Sequence, residues 1–383
     1  MRSPRRAIPP AVLSLIACLG SLTAQGKVWV VDAAGGAGAD TRTIEDAVLR
    51  AGDGDVLLVR QGSYGVVKSA NKALTIVRDT SSGAATLLTL TIDSLALGKN
   101  FTVRGFTMSS SIVLVDCQGS VSIEDCTVNL LSGSVFNAHR CRAITLSRCA
   151  FTGSTVPGLW AYQSQVSAFD STFTGGAGTH GLLVWYSQIT ATGCTFQGGR
   201  GAPGVVLNGA CYVQPQAAGN GVDLVHGTVE LHGCTTLAGA GAPANGPCPS
   251  GPAGVAVRNG AGTLIRTQLT PLRYTASATV REGQPFQLDA QGASGDNALL
   301  VLNLTHDSVA LPGCTGALFP SLAGHSLIFV GILQGTPWQL RGTAPTMAPG
   351  LDQIRLATQL AVLRRSACVF GPAASVVLLD QRF

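Results

Sequence analysis

The chain has 383 residues, of which 12% are charged and 48 are glycine, and its formal net charge is +5. This length allows two domains with a sizeable core, and low charge with abundant glycine is typical of short buried strands joined by tight turns. No block of basic residues occurs, so the composition argues against a nucleic-acid-binding protein.

Residues 1–24 have the pattern of a secretory signal peptide. A positive segment, MRSPRR, precedes an apolar run from Ala11 to Leu22 that is too short to span a bilayer, and small Ala24 stands at the predicted cleavage point. We therefore predict an exported protein, either secreted, periplasmic or on the cell surface. The alternative is a lipoprotein, because LIAC at residues 15–18 resembles a lipobox with Cys18 as the lipidated residue. No later segment predicts a transmembrane helix.

Residues 43–64, TIEDAVLRAGDGDVLLVRQGSY, predict a short helix, a turn and a strand. Ile44, Ala47 and Val48 share one helical face, and Thr43 is a candidate N-cap. We expect residues 25–65 to supply an N-terminal strand and a helix that covers the first coil of a repeat structure, with that coil beginning at Val56.

Residues 66–270 contain internal repeats of roughly 20 to 25 residues. The clearest copies begin at Gly158, Gly181 and Gly221, and weaker copies begin near residues 112, 134, 204 and 254. Each copy holds short alternating strands, and this period suits one coil of a parallel β-helix, whose coils stack at about 4.8 Å.

The alignment of the copies predicts three columns of inward-facing residues. The first column is Phe106, Cys126, Cys149, Ser171, Cys194, Cys234 and Leu269. The second is Val135, Leu159, Leu182, Val205, Val222 and Val255, and the third is Asn137, Ala161, Val184, Leu207, Leu224 and Val257. Residues 271–383 alternate apolar and polar positions between turn signals, which predicts a separate β-sandwich.

The segment 43–64 resembles the entry signature of secreted right-handed parallel β-helix proteins of the pectin-lyase-like superfamily. The matching residues are Thr43, Ile44, Ala47, Val48, Gly54, Asp55, Gly62 and Tyr64. The resemblance covers about residues 28–270 and implies an all-β fold, a right-handed parallel β-helix with an N-terminal capping helix. Residues 271–383 are similar to C-terminal β-rich modules of secreted bacterial β-helix proteins. The superfamily holds lyases, hydrolases, epimerases, adhesins and inert scaffolds, so the resemblance implies no single activity.

One charged ladder is a candidate catalytic site. Asp125, Arg148 and Asp170 take the same place in three consecutive coils. Lyases of the superfamily use acids to hold calcium and an arginine or lysine as base, and hydrolases use several carboxylates. The trio could thus serve a polysaccharide lyase, with calcium, or a glycoside hydrolase acting on acidic glycan. We favour a salt-bridge ladder instead, because the two acids would stand about 10 Å apart with the arginine between them.

Aromatic residues provide a candidate ligand-binding surface. Trp160, Tyr162 and Trp185 fall at outward places in neighbouring coils, and Asp223 and Arg258 lie in the same region. Sugar rings pack on such aromatic side chains, with polar groups fixing the hydroxyls. The competing interpretation, which the sequence favours somewhat more, is that these aromatics pack under a loop or against the C-terminal module.

The cysteines predict disulfides and buried thiols but no metal site. No C-x-x-C pair and no histidine pair at zinc spacing occurs. Two of Cys211, Cys234 and Cys248, which surround one loop, are candidates for a disulfide. We expect Cys314 to bond with Cys368 because the protein is predicted to be exported. The sequence as a whole favours an exported scaffold that lacks a cofactor and has polysaccharide as its candidate partner, over an enzyme.

Overall fold

The computed structural model of the protein describes residues 26–383 except 130–135, 269, 271, 305, 312–313, 316, 321–325 and 365–366. The predicted signal peptide, with its lipobox, lies outside the described residues, as do Val135 and Leu269 of the predicted columns.

Strands of successive coils pair in parallel from residue 28 to residue 267 and form three ladders. The first ladder consists of β1 (Val28–Val31), β2 (Val56–Val59), β4 (Thr75–Arg78), β6 (Asn100–Arg104), β9 (Ser120–Glu124), β12 (Ala143–Ser147), β15 (Gln165–Phe169) and β18 (Ser187–Thr192). The second contains β7 (Thr107–Met108), β10 (Thr127–Asn129), β13 (Ala150–Thr152), β16 (Thr172–Thr174), β19 (Thr195–Gln197) and β23 (Thr235–Leu237). The third contains β8 (Ile112–Val115), β11 (Phe136–His139), β14 (Leu159–Tyr162) and β17 (Leu182–Trp185).

Four long strands continue past a corner and serve two ladders. These are β3 (Gly62–Ala70), β5 (Ala85–Asp93), β22 (Val222–His232) and β24 (Val257–Thr267). The first two belong to the second and third ladders, and the last two belong to the third and first. The protein is therefore all-β, with a parallel β-helix that precedes a C-terminal β module.

The core of the β-helix is built from columns of like side chains, as the repeats predicted. Thr127 pairs with Thr107 on one side and Ala150 on the other, which stacks the preceding residues Phe106, Cys126 and Cys149. These three are at most 2% exposed. A column of phenylalanines, which the sequence alignment did not single out, runs beside it. The column rings are Phe151, Phe173 and Phe196, with successive centroids 5.6 and 5.2 Å apart, and Phe136 of the third ladder stacks on Phe151 at 5.5 Å.

The predicted coil beginning at Gly204 is wrong. Residues 205–213 instead form an antiparallel hairpin of β20 (Val205–Leu207) and β21 (Ala210–Val213). Asn208 and Gly209 at its tip both have positive φ, the conformation that a tight two-residue hairpin turn requires. The interval from Gly181 to Gly221 is thus one coil with a long insertion.

The structure also changes the membership of the second and third predicted columns. Val205 and Leu207 are half-exposed on the hairpin, and Leu182 stacks directly on Val222. Val222 in turn pairs with Val257, so Val255 is not a column member. Asn137 pairs with outward Trp160, and its neighbour Ala138 takes the buried place. A shift of one residue in a strand exchanges the two faces, which accounts for the polar residue in the predicted column.

The N-terminal end of the β-helix is covered by helix α1 (Ile44–Arg50). The amide of Asp46 donates to Thr43 Oγ1 at 3.2 Å, and Ile44, Ala47 and Val48 are buried in the core, as predicted. The stack starts earlier than predicted, however, because β1 pairs with β2 in register.

At the other end, polar residues close the stack. In β24, Asn259 stands opposite Leu224 and Arg266 opposite Leu231, where earlier coils have apolar side chains. The Asn259 side chain exchanges hydrogen bonds with the backbone of Gly262 at 3.1 Å, so its polar groups are satisfied within the last strand. Polar inward positions disfavour the addition of another coil at this edge.

The C-terminal module contains a three-stranded and a six-stranded sheet that share one apolar core. The smaller sheet is β25 (Arg273–Ala276), β27 (Pro285–Gln291) and β33 (Trp338–Thr343). The larger is β26 (Thr279–Arg281), β35 (Ala367–Leu379), β34 (Gln353–Arg364), β28 (Asn297–Asn303) and β32 (Ser326–Ile332), with β30 (Cys314–Thr315) paired to β35. A further pair is β29 (His306–Ala310) with β31 (Ala317–Pro320).

The module packs on the outer face of the first ladder. An apolar cluster joins Val56 and Leu58 of β2 to Val377 and Leu379 of β35. Farther along, outward polar side chains of the first ladder, such as Glu124 and Ser147, are completely buried. One outer face of the β-helix is therefore covered by the chain itself.

Candidate functional site

Asp125, Arg148 and Asp170 all stand at the same tight corner, between the first and second ladders. Each has a left-handed backbone, with φ between 44° and 53°. The equivalent corner residue in other coils is Gly105, Gly193 or Gly233, also with positive φ. Glycine and aspartate tolerate this conformation better than most residues, so backbone geometry accounts for acids at this position without a catalytic role.

Asp125 and Arg148 form part of a buried ion cluster. Arg148 donates from Nε and Nη2 to the two Asp125 oxygens at 2.7 and 3.1 Å, and Arg104 donates from Nε to Asp125 at 2.7 Å. Glu124 is fully buried, with its carboxylate 3.7 Å from Arg104 and 3.9 Å from Arg148. We call Arg104, Glu124, Asp125 and Arg148 the interface cluster. Burial alone would raise the pKa of Asp125, but the two guanidinium groups outweigh it and hold the pKa below its usual value.

The interface cluster is bound to the C-terminal module. The backbone amide and hydroxyl of Ser375 donate to Glu124 at 2.7 and 2.6 Å. Arg104 donates to the carbonyls of Ser375 and Ala276, and Arg148 donates to that of Ala373 at 2.8 Å. Because strand β35 occupies the space over these groups, the geometry supports a structural joint between the two domains.

Asp170 is not part of this cluster, although it lies one coil from Arg148. No side chain in the described part of the chain donates a hydrogen bond to its carboxylate, because Arg148 points toward Asp125. Burial raises the pKa of Asp170 to about 6, against the opposing charges of Arg148 and Arg273. The structure thus brings together two of the three predicted ladder residues and separates the third.

Asp170→Asn is expected to stabilise the protein near neutral pH. The folded pKa of about 6 exceeds the ordinary 3.8, so the stability linked to protonated Asp170 is complete below pH 3.8 and is lost as pH rises through 6. Asparagine stays neutral and tolerates a left-handed φ, so we expect a gain of roughly 2 kcal/mol at pH 8 that vanishes at pH 3.5. Urea denaturation at both pH values measures it. Asp125→Asn, whose pKa shift is opposite, is the control and should destabilise; a loss at pH 8 for Asp170→Asn would contradict this account.

The predicted aromatic residues lie on the outer face of the third ladder. Trp160 pairs with Leu183, and Tyr162 pairs with His139 on one side and Trp185 on the other, so aromatic rings follow one another on consecutive coils. Trp185 is 40% exposed, whereas Trp160 and Tyr162 are half-buried.

Three further aromatic residues, which the sequence analysis did not assign to this surface, extend the row. The His139 ring lies 5.3 Å from Trp160 and 5.7 Å from Tyr162. Tyr186, at the corner after Trp185, is 58% exposed and stacks on His226 at 4.8 Å. We call the six rings of His139, Trp160, Tyr162, Trp185, Tyr186 and His226 the aromatic strip. The register of the coils could have located His139, since it stands one coil before Tyr162.

Asp223 and Arg258, the other predicted ligand-binding residues, form one ion pair beside the strip. Asp223 is 1% exposed, and it accepts hydrogen bonds from Arg258 Nε at 2.8 Å and from Arg258 Nη2. His180 Nε2 lies 3.0 Å from the same carboxylate, and the Asn220 amide donates to His180 Nδ1 at 3.0 Å. Both ring nitrogens are therefore engaged, which leaves His180 no free nitrogen for general-base catalysis.

The charges of Asp223, Arg258 and His180 are balanced. Burial lowers the pKa of His180 and, together with the smaller effect of the Arg258 charge, outweighs the opposing influence of Asp223. With neutral His180, the Asp223 and Arg258 charges cancel at pH 7. The trio holds the start of β17, β22 and β24 together and presents no net charge to a ligand.

A disulfide stabilises the loops at the upstream edge of the third ladder. Cys211 on the hairpin bonds to Cys248 in the next coil's loop, which confirms that two of the three candidate cysteines pair. The predicted Cys314–Cys368 bond is wrong: these residues are register partners on β30 and β35, and both thiols are free. Parallel neighbours in register point the same way, which is poor geometry for a bridge.

The described residues provide neither a metal site nor a membrane helix. No group of three or more His, Cys, Asp or Glu residues within them could hold a metal ion. Nor is any helix in the described ranges long and apolar enough to cross a membrane.

Two comparisons with known proteins, by family model and by sequence, found no match. The fold and its surfaces are therefore the basis for a functional assignment. They define an all-β protein that has a parallel β-helix with one outer face covered by its own C-terminal module and another that carries an aromatic strip.

Proposed function

We propose that the protein is an exported β-helix scaffold that binds polysaccharide along the coils of residues 158–258. The observation that carries this proposal is the aromatic strip, a row of six neighbouring rings on an outer face of the β-helix. The exposed rings Trp185 and Tyr186 offer apolar faces on which the C–H faces of sugar rings pack. Aromatic residues also dominate the energetics of many binding surfaces.

The packing of the module supports this role for the exposed rings of the strip. The sequence alone favoured burial of these aromatics against a loop or the module. The module instead packs on the first ladder, through Glu124, Arg104 and Ser375, and leaves Trp185 exposed on the third. Export rests on residues 1–24, and the resemblance to pectin-lyase-like β-helix proteins supports an extracellular glycan as the partner.

A scaffold is favoured over a polysaccharide lyase or glycoside hydrolase by the placement of the acids. Asp125 and Arg148 are engaged in the interface cluster beneath β35, and Asp223 is paired with Arg258 and His180. The chemistry of either enzyme needs carboxylates that can reach a glycosidic bond or hold calcium in an open cleft. We assign no cofactor.

Trp185→Ala is expected to weaken polysaccharide binding about tenfold, equivalent to ~1.4 kcal/mol for the loss of one stacked ring. Affinity electrophoresis of the secreted protein on a panel of immobilised polysaccharides, followed by calorimetry with the bound ones, measures the effect. Tyr212→Ala is the matched control, because Tyr212 is 73% exposed on the hairpin and outside the strip.

Two results would contradict the proposal. One is equal affinity of the Trp185→Ala variant and the parent protein, which would remove the aromatic strip from the binding site. The other is the appearance of unsaturated or reducing-end products from any polysaccharide, with or without calcium, which would establish an enzyme.

A further inference from the structure

A small cavity lies in the joint between the β-helix and the C-terminal module, beside the interface cluster. Its volume is about 40 Å³, which is room for about three water molecules or for one small anion. Both domains contribute polar side chains to its lining: Thr75, Asn100 and Thr102 from the first ladder, and His306, Arg355 and Ser375 from the module. No acidic residue is among the described residues that line it.

Arg355 brings a positive charge to this cavity without a counterion. Its Nη1 donates to Thr75 Oγ1 at 3.1 Å, whereas its Nε is buried and has no hydrogen-bond partner in the described part of the chain. The acid whose charge acts on Arg355 is Asp55, and this carboxylate is already bonded to the Trp29 indole at 2.8 Å and to two backbone amides. Burial outweighs the charge of Asp55 and lowers the pKa of Arg355, as expected for a cation that lacks a close partner.

Other arginines at the joint are paired with acids. Arg281 reaches across from the module to Asp79 at 3.0 Å, and Arg104 lies 2.7 Å from Asp125. The interface cluster contains two arginines and two acids, so its charges cancel and it offers no net negative charge to Arg355. A buried charge without a partner is costly, and an anion taken up from solution would reduce that cost.

The uncharged groups of the cavity suit an anion as well. Thr75 and Thr102 are register partners on β4 and β6, so their hydroxyls stand one coil apart on the same face. The Thr75 hydroxyl accepts from Arg355, and it donates to no acceptor within the described residues, which leaves its proton for a ligand. His306 Nε2 lies 3.1 Å from Thr102 Oγ1. Burial, together with the charge of Arg355, lowers the pKa of His306 to about 3, so this ring is neutral at pH 7.

We propose that this cavity binds one small monovalent anion, such as chloride, bromide or nitrate, and that the bound anion stabilises the joint between the module and the β-helix. Arg355 supplies the charge, and Arg355 and Thr75 donate hydrogen bonds to the anion. The site lies on the covered first ladder and not at the aromatic strip, so it is independent of polysaccharide binding.

Urea denaturation at constant ionic strength tests the proposal, because urea itself adds no charge. The full-length protein and its Arg355→Met variant are compared in sodium chloride and in sodium gluconate, whose anion is too large for the cavity. We expect the change from gluconate to chloride at about 0.5 M to raise the folding equilibrium constant about tenfold more for the parent than for the variant, as for a site with a Kd of about 50 mM. In gluconate the variant should be at least as stable as the parent, because the unpaired charge is gone.

Two further variants make the test specific to the cavity. Arg382→Met is the matched control, since Arg382 is 64% exposed on the module and is paired with Asp380 and Asp352; it should respond to chloride as the parent does. Thr75→Val removes one hydroxyl and retains the shape of the side chain, so it should bind chloride roughly fivefold more weakly. This variant also serves if Arg355→Met does not fold.

Anomalous diffraction from crystals grown in sodium bromide locates the anion directly. The parent should show a bromide peak next to Arg355 and Thr75. An equal chloride response in the parent and in Arg355→Met would overturn the proposal, and so would a cavity that holds only water in the bromide crystals.

Discussion

Replacing Arg104 with methionine is expected to lower the free energy of unfolding by about 3–5 kcal/mol, the usual cost of removing one partner from a buried ion pair. The Arg104 side chain is only 5% exposed and lies 3.7 Å from the fully buried Glu124 carboxylate and 2.7 Å from that of Asp125, which is one-third exposed. The variant would also leave the carbonyls of Ser375 and Ala276 without their donor. Chemical denaturation followed by tryptophan fluorescence measures the loss.

The matched control is Arg140→Met. Arg140 pairs with Asp116 across one coil spacing in the same way, but both side chains are about half-exposed. An exposed pair contributes at most about 1 kcal/mol, so the two variants should differ clearly. Equal losses for Arg104→Met and Arg140→Met would mean that the interface cluster does not hold the module on the β-helix.

Phe173→Ala is expected to destabilise the β-helix by about 3–5 kcal/mol, as for other large-to-small changes of a buried aromatic residue. Phe173 is fully buried in the middle of the phenylalanine column, 5.6 Å from Phe151 and 5.2 Å from Phe196. Each coil contacts only its neighbours, so a cavity at this place weakens the connection between the coils on either side. Denaturation and hydrogen exchange of residues 143–197 would detect the change.

The Phe173→Leu variant tests whether the lost side-chain volume, and not any change at this position, causes the destabilisation. Leucine retains most of the apolar side chain, so we expect a loss under about 1.5 kcal/mol. If alanine and leucine cost the same, or if alanine costs less than leucine, the phenylalanine column would not be the core element that the structure indicates.

The stacked coils could be predicted from the sequence because their signal is local and repeated. Cys126, Cys149 and Cys194 recur at the coil spacing, and each precedes a small residue that pairs with the next coil. The capping helix could be predicted equally well, since Thr43 and the apolar face lie within a few residues of one another. Local patterns of this kind depend little on the rest of the chain.

The hairpin insertion was mispredicted because its spacing imitates a coil. Gly204 follows Gly181 by the same interval that separates Gly158 from Gly181. The segment VVLNGACYV nevertheless carries a hairpin signal, since Asn208 and Gly209 stand between two apolar runs. Turn chemistry was therefore the better guide at this point than periodicity.

The interface cluster could not be predicted from the sequence. Glu124 and Ser375 are separated by 251 residues, and nothing in either segment specifies the other. Arg104 and Glu124 are register partners on the first ladder, so a full alignment of coils would have placed two buried charges on that face. Their role as a joint follows only from where the module packs, which is a tertiary property.

We propose that ligand contacts the open third ladder and not the covered first ladder. Hydrogen–deuterium exchange with and without a bound oligosaccharide tests this most directly. The account predicts slower exchange in residues 137–139, 160–163 and 183–186, with no change in residues 120–125 and 143–148. Protection confined to 120–125 and 143–148, with the aromatic strip unaffected, would contradict it.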